Sequence, residues 1–255
     1  MADRGERHSR NPVRRGIRGG MEATFKGVVV MDLRSFTTRI AVASALVALA
    51  GIARAQPAAV RLPEPRRQGA MSLEAALAAR HSTRALTRDS LDLADVSQLL
   101  WAAQGVNRPD GHRTAPAAGG IYALEIYVVA ARVRGLAAGV YHYRQAGHVL
   151  EPVSAGERLQ AITDSATHQA WQADAAVAFV FASDPSRLGG RFHDRAERYA
   201  PMEVGFAAQD LYLEAAALGL ATTFAGSFQD STMARLVGLP EGLRPMGIMP
   251  VGHPR

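Results

Sequence analysis

The sequence predicts an α+β fold in which a mixed β-sheet is flanked by helices. Residues 175–182 (AAVAFVFA) are apolar without alternation, the pattern of a central strand covered on both faces. Residues 201–218 place Val204, Ala208, Leu211, Ala215 and Leu218 on one side at helical spacing and stop at Gly219, which makes this the longest helix expected. Strand-like and helix-like runs otherwise alternate irregularly, whereas a doubly wound fold repeats βα units.

The other elements follow in order. Ser72 stands ready to cap a helix through Leu73, Ala76, Leu77 and Arg80, with Glu74 in the first turn, where the helix dipole favours a carboxylate. A second helix follows Asp92, with Leu93, Val96, Leu99, Leu100 and Ala103 on one face and Gly105 as its stop. Residues 126–133 are a β-rich run, and residues 140–143 and 148–153 pair as a hairpin around Gln145, Ala146 and Gly147. A short strand at 221–228, a helix capped by Asp230 and ending near Gly238, and a strand at 246–251 complete the domain.

Composition narrows the chemistry. With 48% hydrophobic and 20% charged residues in 255, the chain can bury a core and is too weakly charged for wholesale disorder. The absence of cysteine excludes disulfides, thiolate metal sites, iron–sulfur clusters and cysteine nucleophiles. The formal charge of +6 belongs to residues 1–55, which hold 10 Arg or Lys against 4 Asp or Glu, while residues 56–255 hold 19 of each. A neutral body offers no electrostatic footprint for nucleic acid. Lys26 is the only lysine, so residues 56–255 have no Schiff-base or lysine general-base chemistry.

Three regions are expected: a leader at 1–55, an extended arm at 56–70 and a folded domain at 71–255. Arg34 and Arg39 precede 14 apolar residues from Ile40 to Ala53, and Ala53, Arg54 and Ala55 match a small-residue cleavage signal. That run is shorter than the roughly 20 residues needed to span a bilayer. Residues 31–55 therefore read as a secretory signal peptide, leaving an exported, periplasmic protein with no stable membrane span; an uncleaved anchor is the alternative. Residues 1–30 are rich in Arg and Gly without periodicity, and Met31 is the expected true start.

Residues 56–255 contain no dinucleotide-binding, phosphate-loop, zinc-protease, nucleophile-elbow or EF-hand signature. Their seven histidines lack ligand spacing supported by carboxylates, so no metal site is expected. One short stretch stands out, Arg80-His81-Ser82-Thr83-Arg84, directly after the first helix. If the chain leaves that helix extended, Arg80, Ser82 and Arg84 project to one side. Two guanidiniums and a hydroxyl suit a phosphate dianion, and the other reading is three solvated surface side chains. A second stretch, Ala115 through Pro116, Ala117, Ala118, Gly119, Gly120 to Ile121, has small side chains that let backbone groups approach a flat ligand, or is an ordinary turn. A third, Phe224, Ala225, Gly226 and Ser227, is again small at a strand end.

Together and in order, these stretches resemble the FMN-dependent nitroreductase superfamily, and within it the SagB-type azoline-dehydrogenase-like branch. The resemblance runs from about Ser72 to Pro254 and is carried by RHSTR at 80–84, LLWAAQGVN at 99–107, TAPAAGGIYALEIYVV at 114–129, GFAAQDLYLEAAALGL at 205–220 and MPVGHP at 249–254. It implies two interlocked subunits with FMN at each interface. Arg80, His81, Ser82 and Arg84 would hold the phosphate and ribityl chain. The loop Pro116, Ala117, Ala118, Gly119 and Gly120 would come from the other subunit, and a backbone amide of Ala225 or Gly226 would lie near the reactive edge of the ring. The implied activity is hydride transfer from NAD(P)H or another donor through the flavin to a small planar acceptor, quinone-like or nitroaromatic-like. A flavin-binding protein without turnover, or a degenerate ligand-binding domain, is the alternative.

The sequence departs from that family in three places. Ala117 replaces a frequent Ser, and Asp210 replaces a frequent Asn beside Gln209. Arg191 and Phe192 stand where azoline dehydrogenases carry a Lys-Tyr pair, and neither relays a proton, which disfavours peptide-heterocycle oxidation. A solvated helix face with an Asp194–Arg198 pair is the plainer reading of that region.

Overall fold

The structure is a computed structural model that describes residues 58–255, so the leader and signal peptide expected at 1–55 lie outside the described residues. Nine strands appear in chain order: β1 (Val60–Arg61), β2 (Leu91–Asp92), β3 (Leu124–Ala130), β4 (Val133–Arg134), β5 (Gly139–Arg144), β6 (Val149–Ala155), β7 (Val177–Ser183), β8 (Ala221–Thr222) and β9 (Arg244–Gly252). Six α-helices accompany them: α1 (Leu73–Ala79), α2 (Leu93–Gln104), α3 (Leu159–Ile162), α4 (Ser186–Phe192), α5 (Ala196–Ala217) and α6 (Asp230–Val237).

Seven strands form one sheet in the order β1-β6-β5-β3-β7-β9-β8, with helices on both faces. The α+β class and the helix-flanked sheet are as expected. Every ladder of this sheet is antiparallel, and the parallel pairing of a mixed architecture is confined to β2 with β4. The unbroken apolar run of β7 reports coverage of both faces rather than strand direction. Along β7, Val177, Phe179 and Phe181 enter one cluster with α2 and α5, while Ala178, Val180 and Ala182 enter the other with α3 and α6. Strand β3 divides the same way, as a period of two requires.

Local signals set most boundaries. Ser72 caps α1 by accepting a hydrogen bond from the Ala75 amide at 3.2 Å. Asp92 precedes α2 but makes no side-chain cap; its carboxylate binds Arg134 Nε at 2.6 Å instead. Helix α5 begins at Ala196, five residues before the proline taken as its start, and it carries Pro201 inside. Its end is closed by Gly219 at φ +69°, with Gly219 N–H bonding Ala216 O and Leu220 N–H bonding Ala215 O, a Schellman motif. Asp230 is the first residue of α6 rather than its cap, which is Gln229. Of the strand expected at 221–228 only β8 is regular, and Ala225 adds a single bridge to Ile248.

The arm is tied down along 60–67. Its β1 pairs with β6, and Arg66 N–H donates to Gln98 Oε1 at 2.8 Å. Ser97 Oγ donates to Pro63 O, and His148 joins Ser97 to Tyr143 with nitrogen-to-oxygen distances of 2.7 and 2.8 Å. Since the Ser97 hydroxyl proton is committed to Pro63, His148 donates from Nε2 and accepts the Tyr143 hydroxyl at Nδ1. Among the described residues no helix is long and apolar enough to cross a membrane.

One ion cluster fastens α4 to the sheet. Glu125 on β3 accepts from His142 Nε2 on β5 at 2.8 Å and from Arg187 Nη1 on α4 at 2.5 Å. Burial alone would raise the Glu125 carboxyl, but these hydrogen bonds and the arginine charge outweigh it and hold the group at about 2. A depressed folded value gives stability that is present above the unfolded value near 4.5 and is lost as the pH falls towards 2. We expect Glu125→Gln to lower stability by on the order of 2 kcal/mol at pH 7. Chemical denaturation at pH 7 and pH 3 checks this, the variant losing less than the native chain on acidification.

Candidate functional site

Residues 80–84 leave α1 in extended conformation, with Arg80 at φ −61° and ψ 120°. They lie beside the segment after β8. Thr83 N–H donates to Thr222 O at 3.0 Å, and Thr223 Oγ1 donates to Thr83 O at 3.0 Å. Tyr212 of α5 joins the same two segments. Its hydroxyl oxygen accepts the Phe224 amide at 2.6 Å and lies 3.3 Å from Ser82 Oγ, while its ring lies 5.2 Å under the Arg80 guanidinium.

Arg80 and Ser82 thus share Tyr212, whereas Arg84 reaches further along the strand to Trp171, 6.0 Å from its ring. His81 turns back, with Nδ1 donating to Ala79 O at 2.8 Å. Neither Arg80 nor Arg84 forms a salt bridge among the described residues. Arg255 runs alongside, its amide bonded to Ala85 O, but its guanidinium faces Asp174 at 3.6 Å, where Arg88 already sits at 3.4 Å.

Of the two amides expected near a ring, Ala225 is excluded: its N–H is committed to Ile248 O at 2.9 Å in the bridge that closes the sheet. Gly226 is exposed, and its N–H has no acceptor among the described residues. Phe224 is held by a neighbour that sequence reading passed over. A Cβ on Gly247 would stand 2.0 Å from Phe224 Cζ, so only glycine there admits the ring. A Cβ on Gly226 meets nothing closer than 3.9 Å.

Among the described residues no hydrogen bond joins Pro116, Ala117, Ala118, Gly119 and Gly120 to residues 80–84, and the cavity lined by the loop includes none of the latter. Gly119 (φ +60°) and Gly120 (φ +71°) give the loop its turn, and Arg191 Nη1 donates to Gly119 O at 3.3 Å. Arg191 thus touches the loop while its side chain stays exposed, as the solvated-face reading expects. The Asp194–Arg198 pair does not form; Arg198 lies over Tyr199, whose ring meets Phe192 edge to face at 5.1 Å. A buried carboxylate sets the loop's exit: Glu203 of α5 accepts from the Ala123 amide and from Gln104 Nε2, both at 2.9 Å. Burial raises the Glu203 carboxyl, against the pull of those hydrogen bonds.

The loop lines a cavity of about 340 Å³ together with Arg113 and Tyr122. A larger cavity of about 760 Å³, between the arm, α2 and α5, shares Asn107 and Thr114 with it. Asp210 lies in the larger one, half-buried and without a hydrogen-bond partner among the described residues, and burial pushes its carboxyl up to about 6. Departure from the usual Asn therefore leaves a group that is part neutral near pH 6.

The donors at 80–84 and 226 fit a phosphorylated, flat cofactor. Two guanidiniums without counter-anions and a hydroxyl stand on one segment, and an open backbone N–H stands on its neighbour across Tyr212. Such a set of donors, beside a helix-flanked antiparallel sheet, suits a phosphorylated ligand. The model of the nitroreductase family matches residues 77–253, and the chain belongs to that family. A curated Methanocaldococcus jannaschii protein assigned to the nitroreductases is 36% identical over 183 residues, covering 72% of this chain and 91% of its own. A Ralstonia eutropha crystal structure assigned to the nitroreductases superposes with a TM-score of 0.67 at 29% identity, over 79% of this chain and 91% of that one. A chain of the Escherichia coli microcin synthetase McbBCD complex covers 91% of this chain and 85% of its own at a TM-score of 0.58 and 18% identity, a likeness of fold alone.

The Phe224 seat yields a paired test. Gly247→Ala forces the ring out and costs about 1–3 kcal/mol, the usual range for overpacking, whereas Gly226→Ala stays within about 0.5 kcal/mol. Thermal unfolding of the two variants beside the native chain checks the difference.

Proposed function

We propose that the chain is an FMN-dependent oxidoreductase that works as a homodimer and transfers hydride from NAD(P)H or another donor to a small planar acceptor, quinone-like or nitroaromatic-like. One observation carries this reading: Arg80 and Arg84 lie on a single extended segment, unneutralised by any carboxylate among the described residues, and Tyr212 ties that segment to the one bearing the open Gly226 N–H.

Arg80, Ser82 and Arg84 hold the phosphate, with His81 beside the ribityl chain. Guanidinium forks match phosphate oxygens, and each sheltered charge-assisted bond contributes roughly 1.5–3 kcal/mol. When bound, FMN supplies reversible two-electron acceptance, which no side chain here offers. The protein's own share is to fix position: Tyr212 sets the spacing between the anion-binding segment and the Gly226 amide, and Phe224, seated on Gly247, keeps that amide from swinging.

Pro116 to Gly120 act in the cleft of the other subunit. Their separation from residues 80–84 within one chain supports a site completed by a second copy. So do the exposed Leu73 and Leu77 of α1 and Met202 and Phe206 of α5, two helices that pack together. Export to the periplasm by the signal peptide at 31–55 belongs to the same reading; FMN would then travel inside the folded protein.

Purification of the full chain and its visible spectrum test the proposal. A yellow protein bleached by NADH or dithionite is expected, and Arg80→Ala with Arg84→Ala lowers FMN affinity at least about tenfold, because the phosphate loses its counter-charges. A yellow chain that passes electrons from no donor to any acceptor points to a flavin carrier, and a chain that cannot be loaded with FMN overturns the reading.

A further inference from the structure

The 340 Å³ cavity beside the glycine loop is cationic on one side and has no Asp or Glu in its lining. Arg108, His112 and Arg113 supply its basic groups, and Tyr122, Pro116 and Gly120 supply flat or small surfaces. Its size is within the roughly 300–1,000 Å³ typical of small-molecule sites.

Arg113 is the unusual member. Its guanidinium lies 4.1 Å from the Tyr122 ring centroid, half-buried. Among the described residues it makes no salt bridge and no side-chain hydrogen bond, and its Nη1 is fully buried without a partner. The acids that influence it are engaged elsewhere. Glu203 accepts from Gln104 and the Ala123 amide, and Glu125 accepts from His142 and Arg187. Asp110 binds His112 Nδ1 at 2.9 Å, and His112 Nε2 lies 3.7 Å from where a Gly120 side chain would begin.

A guanidinium taken out of water is costly unless an anion meets it, and buried polar groups without partners mark the place of a missing one. The stacked Tyr122 ring covers one face of Arg113 but accepts no in-plane hydrogen bond. Among the described residues Nη1 therefore lacks the oxygen acceptor that guanidinium geometry matches.

We propose that this cavity is a carboxylate subsite, with Arg113 as its principal ligand and Arg108 and His112 at its rim, that takes a small flat organic acid. Resting on the oxidoreductase reading, the subsite selects the acceptor: because the cavity is lined by Pro116, Ala117, Gly119 and Gly120 of the glycine loop, the molecule reduced there carries a carboxylate on its planar frame. No bond is made or broken at Arg113, which orients the acceptor and does no chemistry.

Benzoate and benzamide, alike in shape and different in charge, are the probes. Titration calorimetry on the full purified chain, with and without FMN loading, should give benzoate at least about tenfold tighter binding than benzamide, the value of one charge-assisted contact. Arg113→Gln should remove that preference while leaving benzamide affinity and FMN stoichiometry unchanged. Equal affinity of the native chain for the two probes overturns the proposal whatever the variant does, and so does a folded Arg113→Gln chain that keeps the preference. A colourless chain that still selects benzoate through Arg113 supports the subsite and removes the flavin reading. A yellow chain without selection does the reverse.

Discussion

The proposed cofactor site depends on one phenol. Tyr212 stands in the C-terminal third of α5, the helix that covers one face of the sheet, and its oxygen hydrogen-bonds both the 80–84 segment and the 224–226 segment. Neither segment has regular structure of its own. Each needs a fixed point outside itself, because an extended chain with few backbone bonds samples many conformations and ordering it costs roughly 1–2 kcal/mol per residue. The bonds among Thr83, Thr222 and Thr223 fix their register, and Tyr212 fixes their distance from the helix.

The glycine loop is organised from the same helix, nine residues earlier in the chain at Glu203. That carboxylate is buried, and its neighbours Gln104 and Gln145 form a connected polar chain, Gln145 donating to Gln104 Oε1 at 2.8 Å. A buried carboxylate is tolerated because its oxygens are met by donors. Helix α5 therefore positions two candidate segments, one through Tyr212 and one through Glu203, while packing Val204, Ala207, Ala208, Leu211 and Ala215 into the core. An all-apolar helix of the same length would pack as well and position nothing.

Much of this was legible in the sequence. Local chemistry identified the Ser72 cap, the stop at Gly105, the hairpin around Gly147 and a central strand at 175–182, observed at Val177–Ser183, because each depends on a few adjacent residues. The candidate segments at 80–84 and 116–120 stand out in the sequence for the same reason. What stayed hidden arises from contacts between distant positions. Tyr212 reads as one more residue of an Ala- and Leu-rich helix, although a hydroxyl among such residues was the available sign. Gly247 looks like any strand glycine until the Phe224 ring is set against it, and the Ala225 amide looks free until β9 pairs with it. Strand direction could not be read from β7, because a run buried on both faces is equally compatible with parallel and antiparallel neighbours.

In the proposed function the cationic segment after α1 grips a phosphate. Comparing the affinity of the full chain for FMN and for riboflavin, which differ only by that group, tests it most directly. The account predicts FMN bound about a hundredfold tighter at low salt, the worth of two modest charge-assisted bonds, with the gap narrowing as salt rises. Equal affinity for the two, at any salt concentration, would contradict it.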